Sequence, residues 1–492
     1  MPFSRRLASV AILFAISSAL LLAIHAQLIT LPFYWDELGQ FIPTALDLLR
    51  TGAWVAHSTI PNVHPPGVEA YLVLWYKLFG FSIPITRIAM LLVAAAGLVF
   101  TFLLAIELSH DAPGAPAFVP PLLLLASPLF YTQSMMAQLD MPAMVLTLLA
   151  LLLFLKRYYV ACAIACTALV LTKETGLVVP AVFCTLFLLH RDWKRVALFA
   201  APAFPLAAWL VLLHAKTGYW LGDPGFAHYN VGYALSPVRV VFSFLRRIYY
   251  LFFAEFRWVG TLALVWVLRK RQLFRSEAWR ITLLVSVATV ILVSVLGGAE
   301  LERYLLPVLP VLYIAFSIAF AYLPKRVSLI ASVGLIVVLA ANLFWNPPYP
   351  FPYENNYAMV DFVRLQRVAA QWVQNEYPGR AIATAWPFTA ALRRPDYGYV
   401  GHKLRVIETG DFHASTIEAM PRTFDVLITY TRTWSPPGGA ITLPFVEKFL
   451  ARFYEWQPDV TTAECEALGL IPQASWSKGG QQVTIYVRPS RF

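Results

Sequence analysis

Apolar segments long enough to cross a membrane recur along the first 344 residues, and this feature constrains the fold more than any other. A spanning helix needs about 20 apolar residues, and fewer where the helix is short or the bilayer thins. Charged residues make up only 13% of the chain, whereas soluble domains carry about 25%. Because so few charged residues cannot cover a water-exposed surface, most of the surface must face lipid. We predict eleven spans, near 8–30, 86–106, 117–135, 141–155, 158–172, 175–190, 196–213, 248–268, 280–296, 304–322 and 327–344.

The positions of the basic residues predict which side of the membrane each loop occupies. Cytoplasmic loops carry an excess of Lys and Arg. With eleven spans, five basic runs fall on one side, which places the N-terminus in the cytoplasm and the C-terminal part outside the cytoplasmic (inner) membrane. We therefore interpret the net charge of +11 as this bias and not as a nucleic-acid-binding surface. The runs are Arg5/Arg6, Lys156/Arg157, Arg191/Lys194/Arg195, Arg269/Lys270/Arg271/Arg275 and Lys325/Arg326.

The first loop, residues 32–85, is predicted to lie outside and to contain two helices that do not span. Residues 37–50 have apolar side chains at helical spacing, which predicts an amphipathic helix parallel to the membrane. Residues 65–80 are apolar but short and hold Glu69 and Lys77, so we interpret them as an interfacial helix. We expect four further loops to converge with the first loop on one outer face, near 133–140, 173, 214–237 and 297–303.

The composition changes after Phe344, where a Pro- and aromatic-rich connector, WNPPYPFPYENNY, begins. The stretches that follow alternate between helical and strand-like patterns, with a helix predicted over 361–377 and strands over 381–384, 424–429 and 482–487. The predicted fold class is a polytopic α-helical membrane protein, residues 1–345, followed by a C-terminal soluble α/β domain, residues 346–492. The four cysteines suggest no pairing, so we predict no disulfide or zinc site.

Charged residues at the outer ends of the spans are the candidates for chemistry, because such groups are costly at a membrane boundary unless they serve a purpose. Asp36 and Glu37 follow the first span. One of them can act as a general base or help to bind a divalent metal ion. The competing interpretation is that Asp36 caps the amphipathic helix. His64 begins the second helix of the first loop, where it can contact a substrate or be an exposed loop residue.

Three further outer positions carry charge. Asp140 begins a span, so it either caps that helix or contributes to a shared site. Lys173 and Glu174 form the only charged pair in a long apolar stretch; Lys173 can neutralise an anion such as a phosphate, with Glu174 as its partner. Arg303, next to Tyr304, is suited to a bidentate contact with a phosphate, although such a side chain can also extend to lipid head groups.

Taken in order, these segments resemble the GT-C superfamily of polyprenyl-phosphate-dependent glycosyltransferases. The most similar branch contains the protein O-mannosyltransferases and the bacterial aminoarabinose transferase. The resemblance covers about residues 30–310, and its specificity comes from the order of the motifs and their placement on the outer side. The motifs are YWDE (34–37), HPPG (64–67) followed by Tyr71 and WYKLFG (75–80), Arg87, QLDMP (138–142), LTKETG (171–176) and ERYLLPVLP (302–310).

The resemblance implies a hexosyl- or pentosyltransferase that moves a sugar from a polyprenyl-phosphate carrier to a glycan, lipid or protein acceptor by inverting displacement. It implies that Asp36 is the catalytic base, with Glu37 beside it, and that Lys173 and Arg303 lie near the lipid phosphate. No nucleotide site is implied, because the lipid carries the activated sugar, and the requirement for a divalent metal ion stays open. The residues expected to bind or position the substrates are His64, Asp140, Glu174 and Tyr304.

Two other classes of protein compete with this hypothesis. A lipid or anion transporter, or flippase, also places buried charges in a helical bundle, but it needs neither paired carboxylates in a large outer loop nor a folded outer domain. A non-catalytic scaffold of envelope assembly would tolerate substitution of Asp36 without loss of activity.

Overall fold

The computed structural model describes residues 3–110, 114–270, 273–347, 353–420, 423–432 and 443–489. Arg271 of one basic run and residues 348–352 of the connector lie outside these ranges. The N-terminal part is mostly helical. Its helices are α1 Phe3–Ile24, α2 Ile42–Thr51, α3 Gly67–Phe79, α4 Ile83–Leu108, α5 Val119–Ala126, α6 Pro128–Gln133, α7 Asp140–Leu155, α8 Tyr159–Thr172, α9 Val178–Leu189, α10 Trp193–Ala200, α11 Ala203–Thr217, α12 Pro224–Ala227, α13 Pro237–Phe252, α14 Trp258–Lys270, α15 Glu277–Val295, α16 Leu309–Ala321 and α17 Lys325–Asn342.

Nine of the eleven predicted spans correspond to apolar helices in the described part of the chain. Five of these helices are long and apolar enough to cross a membrane: Leu7–Ile24, Ile83–Leu108, Trp193–Thr217, Glu277–Val295 and Lys325–Asn342. Four are apolar but shorter: Asp140–Leu155, Tyr159–Thr172, Glu174–Leu189 and Leu309–Ala321. The total of eleven spans stays a prediction, because the two other predicted segments are not among these nine helices.

The predicted span over 117–135 consists of two short helices. α5 ends at Ala126, Ser127 is extended with ψ 124°, and α6 begins at Pro128. Proline has no N–H for the helical ladder and disfavours a helical conformation in the residue before it. The prediction of one continuous helix here is therefore wrong, and Pro128 is the physical reason.

The predicted span over 248–268 is also interrupted, and the prediction of one continuous helix is wrong there too. α13 and α14 meet at a break in which Glu255 adopts a left-handed conformation with φ 54°. The buried guanidinium of Arg257 donates hydrogen bonds to the Glu255 carboxylate at 2.5 Å and to the Tyr250 carbonyl at 2.6 Å. These bonds stabilise the break, because a buried charge needs partners, and here a side-chain carboxylate and a backbone carbonyl supply them.

Both helices predicted in the first loop are present. The first begins as a π-helical turn, Glu37–Phe41, and continues as α2; the second is α3. Whether they lie along a membrane surface stays a prediction. The other short 3-10 or π-helical turns are Ala26–Leu28, Glu174–Leu177, His228–Gly232, Ala254–Phe256, Glu302–Leu305, Tyr353–Asn355 and Pro395–Tyr397.

The C-terminal residues form a small α/β domain, as predicted. Its five-stranded sheet has the order β2-β1-β3-β5-β4, with β1 parallel to β2 and β3, and β5 antiparallel to β3 and β4. The two strands that the sequence did not reveal, β2 and β4, are the largely exposed edges of the sheet, where the apolar signal is weak. The elements are α18 Ala358–Glu376, β1 Ala381–Ala385, α19 Phe388–Arg393, β2 Arg405–Thr409, α20 Ala414–Ala419, β3 Val426–Tyr430, α21 Pro444–Tyr454, α22 Thr462–Ala467, β4 Ile471–Lys478 and β5 Gln481–Val487.

Candidate active site

Arg303 lies at the centre of a network of charged side chains that we call the Arg303 network. Its guanidinium contacts the carboxylates of Asp36 at 2.5 Å and Asp140 at 3.0 Å. It also contacts Glu354 at 2.8 Å and the side-chain oxygen of Gln138 at 2.7 Å. A guanidinium carries five N–H donors in a planar fork, so one Arg can join several acceptors that come from distant parts of the chain.

Each carboxylate of the network comes from a helix start or a turn. Asp36 precedes the turn that leads into α2, and its side chain makes no capping hydrogen bond. Asp140 is the first residue of α7, and its oxygens contact Arg303 and Lys173. The structure thus gives both carboxylates a role in the network, where the sequence left helix capping as the competing interpretation.

Lys173 is the second cation of the network. It has an extended conformation between α8 and the following 3-10 turn, and its Nζ contacts Asp140 at 2.5 Å. The same Nζ lies 4.1 Å from the centre of the Tyr304 ring, the distance of a cation–π contact. Lys173 and Arg303 therefore share the Asp140 carboxylate.

Glu354, in the connector before the C-terminal domain, is a member of the network that the sequence analysis missed. It is the acidic residue of the connector, and its Oε1 has no hydrogen-bond partner among the described residues. Burial raises the pKa of Glu354 to about 7, against the attraction of Arg303 and with further support from the carboxylates of Asp36 and Asp140. Near neutral pH this carboxyl group can therefore gain or lose its proton.

Asp36 is the most accessible carboxylate of the network. About 15% of its side chain is exposed, against 5% for both Asp140 and Glu354. A molecule in solution can therefore reach Asp36 more readily than the other two carboxylates.

Glu37 has a different environment, although the sequence analysis grouped it with Asp36 as catalytic. Its side chain is fully buried and paired with Arg87 at 2.5 Å. Its two oxygens also accept hydrogen bonds from the backbone N–H groups of Tyr34 and Ala137, at 2.8 Å and 2.7 Å. Both oxygens are thus occupied by the protein, so Glu37 joins the first loop to the segment before α7.

His64 and Glu174 form a separate pair beside the network. His64 Nδ1 lies 2.8 Å from Glu174 Oε2, and the His64 ring meets the edge of Phe226 at 5.6 Å. The ion pair of Glu174 is thus with His64. Lys173, for which the sequence suggested Glu174 as the partner, instead contacts Asp140.

A small cavity lies beside the network along α7. Asp140, Lys173 and Tyr304 belong to its lining. The rest of the lining comes mainly from α7, α8, α9 and α15 and is mostly apolar, as at Leu169. The volume is about 30 Å³, which is room for only one or two water molecules. Lys173 therefore lies next to apolar side chains, and a lipid chain does not fit into this space as it stands.

Arg247 on α13 is a second residue that the sequence analysis missed. Its side chain is fully buried, and its Nη1 donates to the carbonyls of Glu300 and Leu301 at 2.9 Å and 2.7 Å. Its Nε and Nη2 have no hydrogen-bond partner among the described residues. The guanidinium lies 5.6 Å from the centre of the Tyr304 ring, so Lys173 and Arg247 both contact this ring.

The helical pattern of α13 could have revealed Arg247. Arg239, Arg246 and Arg247 lie at positions i, i+7 and i+8, on one face of a helix. In the structure this basic face points into the protein, and apolar side chains such as Val241 and Leu245 are exposed on the opposite face. The helix is thus amphipathic, with its polar face inward.

Comparison with known proteins identifies the fold. No family model matches the chain, and no curated protein matches it. Among solved structures, ArnT from Cupriavidus metallidurans bound to undecaprenyl phosphate is 16% identical, has a TM-score of 0.54, and is matched over 98% of both chains. The oligosaccharyltransferase AglB from Archaeoglobus fulgidus, in complex with an inhibitory peptide and a dolichol-phosphate, is 11% identical. Its TM-score is 0.52, and the match covers 87% of this chain and 70% of that chain.

The chain shares its fold with these two proteins. The resemblance that the ordered motifs indicated is thus confirmed at the level of the fold. The described residues place no group of three or more His, Cys, Asp or Glu side chains where they could hold a metal ion. Instead, the carboxylates of the site are held by Arg303 and Lys173.

Proposed function

We propose that the protein is a membrane glycosyltransferase that moves a sugar from a polyprenyl-phosphate carrier to an acceptor on the outer side of the cytoplasmic membrane. One observation carries the proposal: an accessible carboxylate, Asp36, and a buried cation, Lys173, belong to one network of charged side chains centred on Arg303. The lipid phosphates bound by ArnT and AglB, which have the same fold, support a lipid phosphate here.

Asp36 is the general base in this proposal. It accepts the proton of the acceptor hydroxyl or amine while that group attacks the anomeric carbon. The bond from the anomeric carbon to the phosphate oxygen breaks, and the configuration inverts. Glu37 does not take this part, because Arg87 and two backbone N–H groups occupy both of its oxygens.

The leaving polyprenyl phosphate is stabilised by cations around the Tyr304 ring. Lys173 and Arg247 both contact this ring, and Nε and Nη2 of Arg247 have no hydrogen-bond partner in the described part of the chain. Negative charge that develops on the phosphate oxygen gains most from donors already aimed at it in a water-poor site. Arg303 keeps Asp36 and Asp140 in place, and it contributes its charge to the same region.

The remaining candidates position the substrates. Asp140 holds Lys173 and Arg303 on its two oxygens. His64, held by Glu174, lies at the edge of the site and contacts the donor or acceptor sugar.

The proposed topology has eleven spans, a cytoplasmic N-terminus and an outer C-terminal domain. Cysteine labelling near residue 400 from only the cytoplasmic side would contradict this topology.

The experiment that tests the function combines chemistry and genetics. The purified chain is incubated with undecaprenyl phosphate carrying a hexose or a pentose, and with an envelope fraction from a deletion strain. We expect release of undecaprenyl phosphate and a sugar-sized mass increase in one envelope glycan, lipid or protein. The same mass must be absent from the deletion strain and restored by the parental gene. Movement of the intact lipid across a vesicle membrane without bond cleavage would instead support the flippase.

A further inference from the structure

Trp35, the residue immediately before Asp36, has an unusual backbone conformation. It has a φ of 35°, in the left-handed region that side-chain-bearing residues rarely adopt. Such a conformation persists only where the surrounding structure enforces it, and it often marks functional sites. The surroundings of Trp35 therefore show what holds the backbone at Asp36.

The Trp35 ring is enclosed by three aromatic rings of the C-terminal domain. The ring centres of Phe362, Trp386 and Tyr430 lie 6.0, 6.4 and 6.1 Å away, and the last two meet Trp35 nearly edge-on, at 86° and 84°. Edge-to-face contacts at these distances are attractive. The Tyr430 hydroxyl donates to the Trp386 carbonyl at 2.8 Å, which fixes two of the three rings relative to each other.

Trp386 and Tyr430 lie at the carboxyl ends of the parallel strands β1 and β3, and Phe362 belongs to α18. In open α/β sheets this edge is the usual place for a bound ligand. Here it is filled by the chain's own first loop. Trp386 also lies directly against Gly39, where a Cβ atom would approach the Trp386 ring to 2.2 Å. The C-terminal domain therefore contacts the chain on both sides of Asp36.

We propose that Trp35, Trp386 and Tyr430 are positioning residues for Asp36, so that the C-terminal domain is part of the catalytic apparatus. This inference rests on the proposed function of Asp36. Loss of the contacts lets the carboxylate move relative to the acceptor, while Lys173 and Arg247, which bind the phosphate, stay in place. The turnover number should then fall without a matching change in the affinity for the lipid donor.

The test uses Trp386→Ala, with Trp476→Ala as the matched control. Trp476 packs edge-on against Trp372 at 6.1 Å, away from the first loop on the edge strand β4. With undecaprenyl-phosphate sugar as donor, we expect kcat of Trp386→Ala to fall roughly ten- to a hundred-fold. The KM for the donor should stay within about twofold, and Trp476→Ala should keep the parental kcat. Equal losses in the two variants would overturn the proposal.

Substitutions of Trp35 separate the ring from the backbone. Trp35→Gly removes the strain of the left-handed conformation but also removes the ring. Parental activity in Trp35→Gly would mean that only the backbone conformation matters, and it would overturn the role of the three rings. We expect strong loss in Trp35→Gly and partial retention in Trp35→Phe. In an Asp36→Asn background, Trp386→Ala should cause no further loss, because the group that it positions is already gone.

A second measurement does not depend on the reaction. Hydrogen exchange of residues 33–40 reports on the backbone bonds from Glu37 N–H to Tyr34 O and from Gly39 N–H to Trp35 O. Exchange here should be faster in Trp386→Ala and unchanged in Trp476→Ala. If the parental chain released no undecaprenyl phosphate, the proposed function would fail, and this exchange difference would still support the positioning contact. Unchanged exchange in Trp386→Ala would overturn it.

Discussion

Arg303 binds Asp36 at 2.5 Å, although 267 positions separate the two residues in the chain. The contact joins the first loop to the turn before α16, and Asp140 and Glu354 are tied to the same guanidinium. Asp36, the general base in our proposal, is therefore held in place by a residue from a distant part of the chain. The predictions below follow from this arrangement.

Asp36→Asn should abolish most of the transfer. General-base catalysis contributes roughly 10²–10⁴-fold, so the rate should fall by about a hundred-fold or more. The fold should change little, because Arg303 keeps Asp140 and Glu354 as partners. Asp223→Asn is a matched control, since Asp223 caps α12 and Asn caps about as well as Asp. Transfer by purified Asp36→Asn at the parental rate would remove Asp36 from the mechanism.

Arg303→Lys should damage both activity and stability. Lys keeps the charge but cannot reproduce the planar fork that joins three carboxylates. Arg303→Ala leaves those carboxylates without their shared cation, and breaking a buried pair costs roughly 3–5 kcal/mol. Thermal unfolding in detergent should therefore rank parental above Lys above Ala. An Ala variant as stable as the parental chain would contradict the network.

Lys173→Ala should mainly weaken the use of the donor. A lost charge-assisted hydrogen bond is worth about 1.5–3 kcal/mol, which corresponds to roughly a ten- to hundred-fold loss in kcat/KM. Because Lys173 also holds Asp140, the losses in Lys173→Ala and Asp140→Asn should not add, with a coupling of about 0.5–3 kcal/mol. Lys216→Ala, at an exposed lysine, is the control. Simple additivity would show that the two residues act independently.

Arg247→Gln should raise the KM for the lipid donor by roughly tenfold or more, because it removes two donors from the region around Tyr304. The comparison variant is Arg269→Gln, an exposed residue at the end of α14. Competition with free undecaprenyl phosphate provides the direct measurement: its inhibition constant should rise in Arg247→Gln and stay unchanged in Arg269→Gln. If the inhibition constant were unchanged in both variants, the lipid phosphate would bind away from Arg247.

The stability of the protein should fall between about pH 4.5 and pH 7 through Glu354. The pKa of Glu354 is raised from 4.5 to about 7 by burial, so in this window the folded state holds a proton that the unfolded state has released. The stabilisation is therefore complete below the unfolded-state pKa of 4.5, and it is lost as the pH rises through the folded-state pKa of about 7. The shift corresponds to a loss on the order of 3 kcal/mol.

Glu354→Gln should remove this contribution, because Gln does not titrate. Unfolding midpoints measured in detergent from pH 4.5 to pH 8 should then vary less than in the parental chain. Glu376→Gln, at an exposed helix end, should keep the parental pH dependence. Identical pH profiles for Glu354→Gln and the parental chain would contradict the raised pKa.

The sequence predicted much of the site because charges at the ends of apolar helices stand out against their surroundings. Asp36, Asp140, Lys173 and Arg303 were all expected at one outer face, and the structure brings them into contact. Glu37 could not be separated from Asp36 by sequence, since neighbouring residues at a helix start point in different directions. Its burial depends on Arg87, which lies in another helix.

The roles of Glu354 and Trp35 could not be predicted from the sequence. Glu354 enters the network because the connector folds back against α6, where the Thr132 hydroxyl donates to the Glu354 carbonyl at 2.6 Å. The role of Trp35 depends on how the C-terminal domain docks. Both facts concern long-range packing, for which local periodicity carries no signal.

The inward polar face of α13 has a consequence for biosynthesis. Arg246 and Arg247 bind the Glu302 carboxylate and the carbonyls of Glu300 and Leu301, which leave the ribosome more than 50 residues later. Until then these contacts cannot form, and lipid would be a costly place for the two guanidinium groups. α13 therefore remains at the water-facing boundary during synthesis until residues 300–302 have been made. In a nascent chain that ends before residue 300, α13 cannot pack in its final position.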